Sequence, residues 1–174
     1  MSTVVVVGNP KPLSRTRAAA EHVLEQLTGA PADRVIDVID LGPGLLGWGD
    51  PAVAEAVEAL RSAEVAVVAS PTYKGTYTGL LKLFLDQVGT GDLAGVVAVP
   101  LMLGAGPGHA LAPDLLLKPV LVELGATTPT RGLYLIDRAW DEPGPLETWL
   151  AAARPQVAAQ ISTTTLPRAR PAVR

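Results

Sequence analysis

The chain has 174 residues, 48% hydrophobic and 18% charged, with no cysteine and a formal net charge of −3. That length gives one domain with a full core, and the composition excludes disorder over the bulk of it. A disulfide framework and a thiolate metal site are excluded too, and a pI of about 5.3 speaks against a nucleic-acid binder. His22 and His109 are the only histidines and cannot alone build a usual zinc site, so no metal is expected.

In chain order, the β-branched run TVVVV at 3–7 predicts a first strand, ended by Gly8, Pro10 and Pro12. Ala19, Val23, Leu24 and Leu27 fall at helical spacing, predicting a helix over 14–27 closed by Gly29 and Pro31. A short strand over 35–39 carries Asp37, and a glycine- and proline-rich segment follows at 41–51. Asp50 as N-cap and Pro51 at the first position open a helix to about residue 62. Strands follow over 65–69, 96–103 and 133–136, and helices over 78–88, 110–124 and 145–161, the last bent or broken near Pro155. Residues 93–113 carry no Lys, Arg, Asp or Glu, but their glycines and prolines read as a strand, a loop and a helix start rather than a membrane span. The opening MSTVVVVGNPK has no basic segment before its apolar run, so neither a signal peptide nor a membrane association is expected, and the expected location is cytoplasmic. Residues 1–161 are expected to form one domain, and 162–174, rich in Arg and Pro, a disordered tail.

Five strands alternating with five helices predict an α/β fold, a three-layer sandwich on a five-stranded parallel sheet. Strands one, three and four are apolar without a break, as central parallel strands are. The second carries a charge and the fifth is short, as edges are. This fits the flavodoxin-like order 2-1-3-4-5.

In such sheets ligands bind beyond the carboxyl ends of the strands, at the switch point. The loops after the first, third and fourth strands are the unusual parts of this sequence. In the first, Ser14 is a helix N-cap, and the first turn carries Arg15 and Arg17 with no acid. Cations there oppose the helix dipole by roughly 0.3–1 kcal/mol each, a conflict that a bound anion removes. Free N–H groups, the Ser14 and Thr16 hydroxyls and a guanidinium make a phosphate site; the alternative is a solvated helix start. No Walker lysine motif and no GxGxxG follows the first strand. The second loop, Ser70-Pro71-Thr72-Tyr73-Lys74-Gly75-Thr76-Tyr77-Thr78-Gly79, concentrates aromatics in a chain that has 4% of them. It can offer N–H donors to a planar heterocycle, or be a polar loop with Thr78 as helix cap. The third, Gly104-Ala105-Gly106-Pro107-Gly108-His109, lets backbone approach a flat ligand, with His109 a ligand contact or a helix-start residue. No nucleophile–base pair stands out, and Asp86, Asp92 and Asp114 read as caps or surface charges. A phosphate cradle and a ring platform without acid–base residues suit a cofactor that supplies its own chemistry.

These residues resemble the NADPH-dependent FMN reductase family, of flavodoxin-like fold, and within it the reductases of two-component alkanesulfonate monooxygenase systems. The likeness rests on SPTYKGTYTGLLKLFLDQV at 70–88, GHALAPDLLLKPVLVELGA at 108–126 and SRT at 14–16, within residues 3–137. It implies an FMN phosphate at Ser14, Arg15 and Thr16, and an isoalloxazine against Pro71, Thr72, Tyr73, Lys74, Gly75 and Thr76. Gly104, Ala105, Gly106 and His109 would border the ring from the other side. NADPH or NADH would pass a hydride to flavin N5, so no protein residue need act as catalyst. The resemblance further implies a partner monooxygenase that takes reduced FMN, and a homodimer or homotetramer formed around the helix over 79–88. The family's first loop usually begins GS where this chain has Gly8-Asn9-Pro10. Leu115 stands where sulfonate-system reductases typically carry a tyrosine associated with flavin release and oligomer switching. Competing readings are a quinone or azo reductase that retains FMN, a flavodoxin-like electron carrier, and a cofactor-free binding domain. Carriers are usually strongly acidic, which a net charge of −3 does not match, and a binding domain would show no flavin affinity.

Overall fold

A computed structural model defines residues 1–163. Five parallel strands, β1 (Thr3–Val7), β2 (Arg34–Asp37), β3 (Val65–Pro71), β4 (Val97–Gly104) and β5 (Leu133–Ile136), form one sheet in the order β2-β1-β3-β4-β5. The register aligns Val5 with Val67 and Val67 with Val99, so the apolar runs of the three inner strands stack across the sheet. Alternation along each strand then supplies two cores. Val5, Val7, Val67, Val99 and Leu101 pack under α1 (Arg15–Thr28) and α5 (Pro145–Thr163). Val4, Val6, Val68, Ala98 and Met102 pack under α2 (Pro51–Arg61), α3 (Gly79–Leu85) and α4 (Lys118–Glu123). Every residue of β1, β3 and β4 is buried, which is why their sequences show no polar alternation.

Four expectations change. The second strand stops at Asp37, and 38–46 continues as 3-10 turns across a kink at Gly42 (φ 53°), because Gly42-Pro43-Gly44 cannot extend a ladder. The helix expected over 78–88 closes at Leu85, and Gln87 and Val88 donate to carbonyls three residues back. The helix expected over 110–124 begins instead as a π turn (Pro113–Leu117) that passes directly into α4, and a separate 3-10 turn (Pro107–His109) precedes it. Pro107, Pro113 and Pro119 each remove an N–H from the ladder that a continuous helix needs. Conversely α5 runs through Pro155 as one helix. The disordered tail expected over 162–174 lies outside the described residues, except that Ser162 and Thr163 close α5. Among the described residues no helix is long and apolar enough to cross a membrane.

Candidate functional site

The carboxyl end of β1 is fixed against α3. Gly8 N–H donates to the Ala69 carbonyl at 2.8 Å, and a Cβ at Gly8 would stand 2.3 Å from Leu81 Cβ, so only glycine fits. The Thr78 hydroxyl donates to the Gly8 carbonyl and accepts the Leu81 N–H at 3.1 Å, capping α3 while tying it to β1. Asn9 is buried and organises the next turn. Its amide nitrogen donates to the Thr16 hydroxyl, and its oxygen accepts the Lys11 N–H, both at 2.9 Å. Leu13 takes a left-handed conformation (φ 49°), uncommon for a leucine, and Ser14 follows as N-cap of α1. The Ser14 hydroxyl accepts the Arg17 N–H at 3.2 Å and its carbonyl accepts Ala18 N–H at 3.1 Å. The amides of Arg15 and Thr16 keep the unsatisfied character of a helix start.

The two arginines of this turn have different partners. Arg17 Nε donates to Glu21 at 2.6 Å, and its guanidinium lies 3.8 Å from Asp37. Burial pushes the Asp37 carboxyl up from its ordinary range, while the Leu13 amide and Arg17 pull it down. Arg15 is free of α1 and pairs with Asp137 at 2.9 Å.

The second loop leaves β3 through Pro71. Thr72 N–H donates to the Leu103 carbonyl at 2.6 Å, binding the loop to β4. Tyr73 and Thr76 exchange backbone hydrogen bonds across Lys74 (φ 53°) and Gly75 (φ 86°), a two-residue turn with both central residues left-handed. Tyr73 and Lys74 therefore stand exposed at its tip. The Thr72 hydroxyl is buried and has no hydrogen-bond partner among the described residues.

The third loop is held by β5. Tyr134 donates its hydroxyl to the Gly106 carbonyl at 2.8 Å, in space that a Cβ at Gly104 would occupy (1.8 Å to the hydroxyl oxygen). Asp137 N–H donates to the Gly104 carbonyl at 2.8 Å. The His109 ring closes on the second loop, 3.6 Å from where a Gly75 Cβ would be.

A cavity of about 360 Å³ opens between these loops, lined by Ser14, Arg15, Pro71, Thr72, Tyr73, Gly104 and Ala105 among others. An adjoining one of about 410 Å³ shares Thr72, Gly104 and Ala105 and adds Lys74, Gly75, Gly106, Gly108 and His109. The trough thus begins at cationic side chains and ends over bare glycine backbone. Of the residues expected at the site, Thr16 and Thr76 line neither cavity; Thr16 lies buried under Asn9. Seven lining residues stand outside the expected set: Asn9, Lys11, Leu13, Leu103, Gly108, Tyr134 and Asp137. The signal for Asp137 was its place just past the carboxyl end of a strand, whereas Tyr134 lies within β5. Leu115 is 65% exposed on the π turn, beside Leu111 and Leu116. The other carboxylates are occupied elsewhere: Asp86 with Lys82, Asp92 with Gly89 N–H, Asp114 with Gly132 N–H.

Residues 1–141 match the family model of the NADPH-dependent FMN reductases. The chain is 32% identical to an FMN reductase (NADPH) of Escherichia coli over 79% of its length and 74% of the relative's. It is 31% identical to the NADH-dependent FMN reductase SfnF of Pseudomonas putida, over 80% of this chain and 79% of that one. Among solved structures, the apo form of an NADH:FMN oxidoreductase (EMOB) superposes with a TM-score of 0.80 at 31% identity, covering 95% of this chain and 91% of that one.

Proposed function

The chain belongs to the NADPH-dependent FMN reductase family, and from that premise we propose that it reduces FMN with NADPH or NADH and passes reduced flavin to a flavin-dependent monooxygenase. Its residues fit the flavin. The observation that carries the reading is a pair of adjoining cavities, sharing Thr72, Gly104 and Ala105, that run from a helix start to a glycine backbone with a buried, unpartnered Thr72 hydroxyl between them. Ser14, the Arg15 guanidinium and the amides of Arg15 and Thr16 would hold the phosphate, where a dianion also relieves the cations facing the α1 dipole. Pro71, Thr72, Tyr73, Lys74 and Gly75 would flank the ring on one side, and Gly104, Ala105, Gly106 and His109 on the other. Thr72 has the hydroxyl to spare for a ring heteroatom. FMN bound there would supply the redox chemistry, as acceptor of a hydride from the nicotinamide. The chain's part is to orient the ring, leave one face open, and exclude side reactions.

Residues 1–161 are the flavin-binding unit in this reading, and the chain assembles as a homodimer or homotetramer. The second point draws on the apolar hollow between α3 and α4, floored by Leu85, Val88, Val120 and Leu124. Stopped-flow oxidation of NADPH and NADH, with and without added FMN, tests the function. Turnover that scales with added FMN in a colourless protein supports a diffusing-flavin reductase and assigns the nucleotide. A yellow protein that turns over only with a quinone or azo acceptor makes FMN prosthetic. FMN binding without oxidation of either nucleotide removes the enzyme reading and leaves an electron carrier.

A further inference from the structure

Asp137 faces the guanidinium that a phosphate at this site needs. Its carboxylate lies 2.9 Å from Arg15 Nη2, and its backbone N–H, bonded to the Gly104 carbonyl, fixes where the residue stands. Among the residues lining that cavity it is the one acid, against Lys11 and Arg15 as the cations. It also comes from the opposite rim: Arg15 opens α1, whereas Asp137 follows β5, so the pair spans the cavity mouth.

We propose, resting on the FMN reading above, that Asp137 is a competitor for Arg15 built into the phosphate subsite, and that it sets how fast phosphate-bearing flavin leaves. In the free protein the carboxylate occupies Arg15. A flavin phosphate entering the subsite takes Arg15 over and turns Asp137 into an unpaired neighbour of like charge. The bound state is weakened on both counts, and only for ligands that carry the phosphate. Arg15 is largely exposed, at 62%, and Asp137 partly so, at 36%, so the exchange of partners needs no opening of the core. A pair this exposed shifts an equilibrium by up to about fivefold, and repulsion of the dianion adds to it. A flavin that must leave to meet another enzyme is served by such a residue; a retained one is not.

The test compares FMN and riboflavin binding, by fluorescence quenching at low salt, in the wild type, Asp137→Asn, Arg15→Ala and the double variant. Asp137→Asn is expected to lower the Kd for FMN about three- to tenfold, and its dissociation rate in step, with riboflavin unchanged. In the Arg15→Ala background the same substitution should do much less. Asp137→Ala, which keeps the backbone bond to Gly104, serves as the second variant if the first is misfolded by circular dichroism. FMN affinity unchanged or weakened in Asp137→Asn, or a parallel change with riboflavin, overturns the proposal. If Arg15→Ala loses FMN while Asp137→Asn gains none, the competitor role alone falls. If Arg15→Ala is silent and the wild type binds FMN and riboflavin alike, the phosphate subsite itself falls.

Discussion

Gly104→Ala tests how β5 governs the ring platform. A Cβ at residue 104 would stand 1.8 Å from the Tyr134 hydroxyl oxygen and 2.7 Å from Cζ, so the ring must swing away and release the Gly106 carbonyl. Overpacking of this kind costs about 1–3 kcal/mol and the lost hydrogen bond about 0.5–1.5, together about 1.5–4.5 kcal/mol. For a chain of this size that lowers Tm by roughly 3–18 °C. Tyr134→Phe alone loses only the hydrogen bond, about 0.5–1.5 kcal/mol. It also removes the atom at 1.8 Å, so Gly104→Ala should be milder in the Phe background, with a coupling of about 1 kcal/mol or more. Thermal unfolding of the four proteins by circular dichroism measures the cycle, and flavin titration of the same samples reads the site. Gly104→Ala should weaken FMN and riboflavin equally, since in the proposed site the loop it moves borders the ring. Additive Tm losses would refute the steric argument, and full flavin affinity in Gly104→Ala would refute the placement of the ring on this loop.

Three further outcomes are expected. Asn9→Ala removes both bonds that organise the first loop, and should cost about 1–3 kcal/mol in urea unfolding while weakening FMN more than riboflavin. Asp50→Ala strips the two N–H acceptor contacts at the start of α2; it should lower stability by about 0.5–2 kcal/mol and leave flavin Kd unchanged, as a control remote from the site. Asp33 accepts the Thr3 N–H and hydroxyl, which hold its carboxyl below the usual 3.8, the backbone bond contributing most. A depressed carboxylate stabilises the fold above its unfolded pKa, and that contribution disappears as pH falls from 3.8 through the lower native value. Asp33→Asn should therefore flatten the acid limb of urea midpoint against pH, and an unchanged limb would contradict the assignment.

The sheet was legible because its inner strands are buried on both faces. An unbroken run such as Val4–Val7 has one reading when glycine and proline end it, and the charge in the second strand marked an edge. Helix starts were legible wherever one residue caps, as at Ser14, Asp50 and Thr78. The region from Pro107 to Glu123 was not, since the apolar spacing continues while the hydrogen-bond ladder is interrupted by three prolines. Of the site, the three loops were visible as composition. Tyr134 and Asp137 were not, because their roles exist only once β5 lies beside β4 and brings them to loops that are distant in sequence.

The first turn of α1 shows what that difference means chemically. In sequence Arg15 and Arg17 are two cations in a first helical turn that carries no acid, and only Arg17 has an acid, Glu21, four residues on. The fold separates them. Glu21 lies one helical turn beyond Arg17, and the end of β2 brings Asp37 beside the same guanidinium, so Arg17 is neutralised inside the protein. Arg15 is met by an acid on the opposite rim instead, in water. A phosphate arriving there finds one guanidinium, two amides and an opposing carboxylate, rather than two free arginines. Charge-assisted contacts of that kind still favour a dianion, but the guanidinium is exposed and must first give up Asp137. In the proposed site the phosphate end would therefore favour FMN over riboflavin by a modest factor only, because Asp137 must first release Arg15.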